Sequence, residues 1–317
     1  MEFRIVDRLR ADRSIERSEV VAGLRASPAS VAPKYFYDPL GCALYGAICR
    51  LPEYYPTRTE VALFDMKRLE IARAVGIGRQ MVDLGAGDCC KARGWLPFLE
   101  PSRYIAVDIA AAEIASALQR LAPDFPAIEM AGVVADFNQG LDLGDAIADS
   151  PVTFFYPGSS IGNFAPPEAV RLLASIRSHC LARPGSSLLI GVDGKKDPAT
   201  LVAAYDDALG VTAAFNRNVL RHLNTRFGFD FAIEGFSHVA RYDEALGRIE
   251  MHLESRQEQA VTLDGVPRRF AAGERIHTEN SYKYAPAEFE ALLAQAGFRD
   301  LRRWDAPAFA YHVFVAA

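Results

Sequence analysis

The chain has 317 residues, half of them hydrophobic and 24% charged, with a formal net charge of −5. That length can bury a large core, and the composition is that of an ordinary globular protein. The acidic balance argues against a nucleic-acid partner, and no apolar run reaches the length of a membrane span. The stretch MEFRIVDRLRADRSIERSEV alternates charged and apolar residues and has no apolar core of a secretory signal. The five cysteines (Cys42, Cys49, Cys89, Cys90 and Cys180) show no ligand-type spacing. Free thiols in a reducing cytoplasm, with no bound metal, are therefore expected.

Residues 1–59 read as irregular and rich in aromatics, densest in KYFYDPLGCALYGAICRLPEYYPTR. A helix is expected over 59–76, where apolar residues recur at helical spacing and a glycine ends the run. Met81–Leu84 reads as a buried strand entering a glycine turn. RYIAVD (103–108) reads as a second strand, followed by a helix that stops at Pro123. MAGVVADF (130–137) is a third strand, and VTFFYPGSSIGNF a fourth with its loop. Pro166 and Pro167 open a helix to about Leu181, and SSLLIGVD (186–193) is the fifth strand. Strands alternating with helices at this spacing imply a parallel sheet covered on both faces.

Beyond Asp193 the rhythm changes. Asp197 before Pro198 reads as an N-cap followed by a proline in the first turn, with helices over about 198–209 and 212–226. HVARYDEALGRIEMHLESRQEQAVTL alternates with period two around a turn near Glu244–Gly247, as an antiparallel pair does. At Pro286 the chain returns to helix, then ends in FRDLRRW and FAYHVFVAA, read as strands. Residues 60–193 and 284–317 are therefore expected to form the sheet domain. Residues 1–59 and 194–283 would form a second, discontinuous one.

The turn D-L-G-A-G places Gly85 and Gly87 between a strand and an expected helix, where a ligand can approach the backbone and meet free amides. Asp108 ends the next strand, where a carboxylate can accept both hydroxyls of a ribose. Asp136 can accept from an adenine amino group while Phe137 lies against the ring. Two cofactors fit this layout, a nicotinamide dinucleotide and S-adenosylmethionine. A dinucleotide typically calls for G-x-G-x-x-G, and GAGDCC lacks the third glycine. S-adenosylmethionine needs a partner for its carboxylate instead, and Lys91 just past the turn can supply the cation. The closing antiparallel pair of a seven-strand pattern favours the same choice.

LPEYYPTRTE (51–60), FYPGSSIGNF (155–164), the Tyr205 segment, EMHL (250–253) and HTENSYKY (277–284) together resemble the histidine Nα-methyltransferases of ergothioneine biosynthesis. The likeness runs from about Tyr35 to the C-terminus. It implies a Rossmann-like class I methyltransferase sheet with a second, discontinuous α+β substrate domain. The implied reaction is three methyl transfers from S-adenosylmethionine to the α-amine of L-histidine, giving hercynine. The resemblance casts Asn163 and Tyr205 as partners of the substrate carboxylate, and Glu279 with Ser281 as the imidazole clamp. An imidazole presents one N–H and one acceptor nitrogen, so an acceptor beside a hydroxyl is its matching edge. Met251 corresponds to the floor under the ring. Tyr54, Tyr37 and Tyr45 correspond to an aromatic wall near the reacting amine, with Tyr37 and Tyr45 also on the cofactor side and Tyr37 and Tyr54 as proton relays. The chain departs from the family pattern at Asp88-Cys89-Cys90, where small residues are usual, and at Tyr45, where relatives carry phenylalanine. A monomer acting on a free amino acid is expected. The alternatives are another free amino acid as acceptor, such as tryptophan or a thiolated histidine, or a nicotinamide-dependent oxidoreductase.

Overall fold

The computed structural model describes residues 3–9, 13–137 and 140–317. They fall into two units, one of Met1–Leu9, Pro56–Lys196 and Tyr282–Ala317, the other of Arg10–Tyr55 and Asp197–Ser281.

The first unit is built on an eight-stranded sheet. From edge to edge its strands are Arg4–Asp7, Glu129–Val134, Arg103–Asp108, Gln80–Leu84, Val152–Tyr156, Ser187–Asp193, Tyr311–Ala316 and Leu301–Ala306. The first six are parallel, and the last two are antiparallel to their neighbours. Gln80–Leu84 and Ser187–Asp193 are buried along their whole length, because helices cover both faces of a parallel sheet. Alternate residues of one strand consequently enter different cores: Val82 and Leu84 pack with Phe154 and Phe289, whereas Met81 packs with Trp95 and Phe155. Helix Ala111–Leu121 lies close enough that a Cβ on Gly132 would come within 2.7 Å of Ile114. From the central strand Gln80–Leu84 the chain first builds outward on one side, then crosses to Val152–Tyr156 on the other. That reversal makes a topological switch point beside Gln80–Leu84, and doubly wound folds bind ligands at the carboxyl ends of the strands there.

Arg4–Asp7 corrects two expectations. The early segment is not wholly irregular, and its first strand pairs in parallel with Glu129–Val134, so the sheet has an eighth strand and residues 4–7 lie outside the second unit. The strand has four residues, mostly exposed, and so carries no alternation that a sequence can show. Arg4 and Arg8 both pair with Asp145 at this edge.

The second unit contains helices Arg13–Arg25, Pro39–Ile48 and Val211–Phe227 and a four-stranded sheet ordered Ala29–Ser30, Arg275–Tyr282, Arg248–Ser255, Phe236–Asp243. The hairpin turns where period-two alternation breaks, with Asp243 opposite Arg248. Gln259–Leu263 and Val266–Phe270 form a separate ribbon. Pro39–Ile48 opens with Asp38 accepting from Gly41 N–H at 2.7 Å and with proline in its first turn. The expected helix over 198–209 stops at Ala203. Its later residues are redirected because the Asp207 carboxylate accepts the first amides of the next helix, from Val211 at 2.9 Å and Thr212 at 2.7 Å. Phe215 of that helix stacks on Phe36, centroids 4.5 Å apart at 11°.

Candidate functional site

Gly85 and Gly87 both take positive φ, +71° and +51°, and a Cβ on either would meet nothing within 4 Å. The turn therefore presents bare backbone to open space, which a ligand can approach closely. Asp108 closes it from the neighbouring strand, with Oδ2 accepting Gly87 N–H at 2.9 Å and Oδ1 accepting Ala110 N–H at 3.0 Å. Burial raises this carboxyl, and the amides of Ala110 and Gly87 draw it back down. A carboxylate offers about four acceptor positions, and with the amides of Ala110, Gly87 and Ile109 engaging it, capacity is left to receive a ligand hydroxyl. These features fit a ribose and its nucleoside. The helix expected after the turn is a single turn, Cys90–Arg93, because Gly94 and Pro97 interrupt it. It is too short to act as a helical anion site. Asp136 is buried just past the end of Glu129–Val134, and Phe137 meets Tyr156 edge-on at 6.0 Å.

Lys91 does not stand as an uncommitted cation. Its ammonium lies 2.6 Å from Glu60, whose side chain is fully buried. An ammonium has three donors, so a second acceptor can still be served. Asp83, in the same turn, accepts the Tyr104 hydroxyl at 2.7 Å. Burial pushes its carboxyl up to about 7, against the pull of Tyr104 and Lys91. The unfolded chain loses this proton near pH 4, so Asp83 makes stability fall as pH rises from about 4 to about 7. Asp83→Asn keeps an acceptor for Tyr104 and removes that slope. Its melting temperature should rise relative to the parent as pH goes from about 5 to about 8; an offset constant across the range would contradict the assignment.

The thiols of the Asp88-Cys89-Cys90 stretch are not activated. Cys89 is buried and pushed well up, and burial together with Asp88 pushes Cys90 up to about 11. Asn163 closes the short turn Ser160–Asn163, reached through Gly158 and Ser159, both at positive φ. At the end of Ser187–Asp193, buried Asp193 pairs with buried Lys283 at 3.0 Å and with Lys196, whose ammonium burial lowers to about 8.

In the second unit the early aromatic segment and the late insert come together. Tyr37 and Tyr45 meet edge to face at 6.2 Å, and both rings contact Phe215. Tyr54 packs against Tyr205 at 6.1 Å, and the Tyr205 hydroxyl lies 2.7 Å from Ser281 Oγ. Tyr205, expected at the carboxylate end of a substrate, is thus joined to Ser281, expected at the imidazole end. Glu279 is buried two residues before Ser281. Desolvation holds the phenols of Tyr45 and Tyr54 well above their usual range, so both remain protonated near neutrality. Met251 is buried on the neighbouring strand, and its carbonyl accepts the Thr278 hydroxyl at 3.0 Å.

Behind these residues runs a polar chain that sequence reasoning missed. Thr278 donates to Asn216 Oδ1 at 2.8 Å, Asn216 Nδ2 donates to His238 Nδ1 at 2.8 Å, and His238 Nε2 faces the Tyr205 carbonyl at 2.8 Å. Those partners define one tautomer, with the proton on Nε2. Burial lowers the His238 imidazole below its usual value, in keeping with a neutral ring. The chain ties the backbone of Tyr205 to the strand that carries Glu279 and Ser281. No periodicity or motif marks Asn216 or His238, and only the contacts reveal them.

A family model described as histidine-specific, S-adenosylmethionine-dependent methyltransferase matches residues 16–317. The chain belongs to this family. It is 40% identical over 316 residues to the histidine N-alpha-methyltransferase of Mycolicibacterium smegmatis, covering 97% of each chain. The enzyme of the same name from Mycobacterium tuberculosis is 37% identical over 307 residues, covering 95% of this chain and 94% of that one. A 4-dimethylallyltryptophan N-methyltransferase of Trichophyton verrucosum is 29% identical over 316 residues, covering 94% of this chain and 92% of its own. Among the described residues, no helix of this family member is long and apolar enough to cross a membrane.

Proposed function

We propose that the protein transfers methyl groups from S-adenosylmethionine to the α-amine of L-histidine, three times, giving hercynine for ergothioneine synthesis. The observation that carries this reading is the junction of Tyr54, Tyr205 and Ser281 beside buried Glu279, in a chain of the histidine-specific family. The sheet unit would hold the methyl donor, with Gly85 and Gly87 exposing backbone, Asp108 on the ribose, Asp136 and Phe137 at the adenine and Lys91 toward the carboxylate. The second unit would hold the acceptor. Glu279 and Ser281 would take the two imidazole nitrogens over Met251, and Tyr205 with Asn163 the carboxylate. We assign the protein to the cytoplasm as a monomer with a small-molecule substrate and without nucleic-acid or membrane partners.

When bound, S-adenosylmethionine supplies a methyl group already activated by its sulfonium. The protein therefore has to present a neutral amine in line with it and exclude water. Aromatic walls from Tyr37, Tyr45 and Tyr54 disfavour the ammonium form by desolvation. Tyr54 stays a neutral phenol, so its role, like that of Tyr37, is to pass the released proton along a hydroxyl chain rather than to act as phenolate. As methyls accumulate, the tyrosine faces attract the growing cation by about 0.5–2 kcal/mol.

The tryptophan-derived acceptor named for the Trichophyton verrucosum relative supports a second reading, methylation of another amino acid. A screen of free amino acids by S-adenosylhomocysteine release separates the two. Histidine should exceed tryptophan and thiolated histidine by at least about a hundredfold in kcat/KM, because a polar edge rejects ligands that leave it unpaired. Equal rates on tryptophan would favour the second reading.

A further inference from the structure

Glu60 sits in the second turn of helix Tyr55–Val75, in the LPEYYPTRTE stretch, and none of the roles assigned above belongs to it. Its side chain is fully buried and joins four parts of the sheet unit. Oε2 faces Lys91 Nζ at 2.6 Å, while Oε1 accepts Gly158 N–H at 2.7 Å and the Tyr311 hydroxyl at 2.7 Å. All three neighbours are donors, and a carboxylate only accepts, so the charge types match throughout. The strand behind leaves room for it: a Cβ on Gly191 would lie 2.0 Å from Oε1.

The Gly158 contact matters because it anchors an unusual stretch of backbone. Gly158 and Ser159 take φ of +80° and +58°, an uncommon succession that has to be held from outside. Glu60 holds it through Gly158 N–H, and Ser159 Oγ holds it by accepting Asp193 N–H at 2.9 Å. This turn leads directly to Asn163. The same carboxylate fixes Lys91 next to the glycine turn.

We propose that Glu60 is a positioning residue that sets Lys91 on the cofactor side and the Gly158 turn on the acceptor side, so that one buried carboxylate aligns both. The proposal rests on the roles given above to Lys91 and Asn163.

Glu60→Gln separates the two halves. The amide oxygen still receives Gly158 N–H and Tyr311, but its NH₂ now faces the Lys91 ammonium, donor against donor. Lys91 is released, and its four-carbon stem must then be ordered when ligand binds, at a cost of about tenfold in affinity. Glu60→Ala removes both halves. The experiment measures S-adenosylhomocysteine affinity by calorimetry and KM for histidine. Glu60→Gln should bind S-adenosylhomocysteine at least about tenfold more weakly with KM for histidine within about threefold of the parent, whereas Glu60→Ala should weaken S-adenosylhomocysteine binding and raise KM for histidine, each about tenfold or more. Should the alanine variant not fold, the glutamine variant decides alone. S-adenosylhomocysteine affinity unchanged in Glu60→Gln, or both constants moved equally by it, would overturn the proposal. A parent protein that binds S-adenosylhomocysteine but leaves histidine unmethylated would overturn the functional reading instead, and that result is independent of either variant.

Discussion

Replacing Glu279 with alanine is expected to weaken histidine binding by about ten- to a hundredfold, the range set by one hydrogen bond to a charged group of about 1.5–3 kcal/mol. Glu279 is buried on a strand whose next inward residue, Ser281, is held by Tyr205. Truncation would leave the acceptor's imidazole N–H without its partner in a water-poor place, where an unmade bond is costly. The Thr278–Asn216–His238 chain that supports the strand does not pass through the Glu279 side chain, so the framework should persist. Calorimetry on the variant should show S-adenosylhomocysteine binding within about threefold of the parent while histidine binding weakens about ten- to a hundredfold. An unchanged histidine affinity would remove Glu279 from the site.

Asp108→Ala should act in the opposite compartment of function. The carboxylate closes the glycine turn through Gly87 and Ala110, and its remaining acceptor capacity is what the proposal assigns to a ribose. Loss of its charge-assisted hydrogen bonds predicts cofactor affinity at least about a hundredfold weaker. Two backbone amides also lose their acceptor, which loosens the turn. Fluorescence or calorimetric titration with S-adenosylhomocysteine measures this directly, and affinity within about threefold of the parent would move the ribose site elsewhere.

Legibility in the sequence followed the range of the interactions. The central strands could be read because burial on both faces gives continuous apolar runs, and Gly85, Gly87 and Asp108 because a turn and the next strand end are local features with a fixed spacing. Arg4–Asp7 could not, since a short exposed edge strand is defined only by the partner it pairs with. The premature end of helix Pro198–Ala203 follows from a carboxylate that caps the next helix, a choice that propensity does not express. Glu60 and Lys91 illustrate the same limit at the site. Lys91 reads as a free cation beside a glycine turn, yet its charge is shared with a carboxylate 31 residues earlier in the chain. The acceptor residues were named only through family resemblance. The structure joins two of them, Tyr205 and Ser281, by a hydrogen bond between residues 76 positions apart in the chain.

The most direct test is the mass spectrum of L-histidine after exhaustive incubation with the purified protein and S-adenosylmethionine. Three added methylene equivalents, all on the α-nitrogen with the imidazole fragment unmodified, are the predicted result. Histidine recovered unchanged, or methylated on its ring, would contradict an acceptor held by its imidazole edge with the α-amine turned toward the methyl donor.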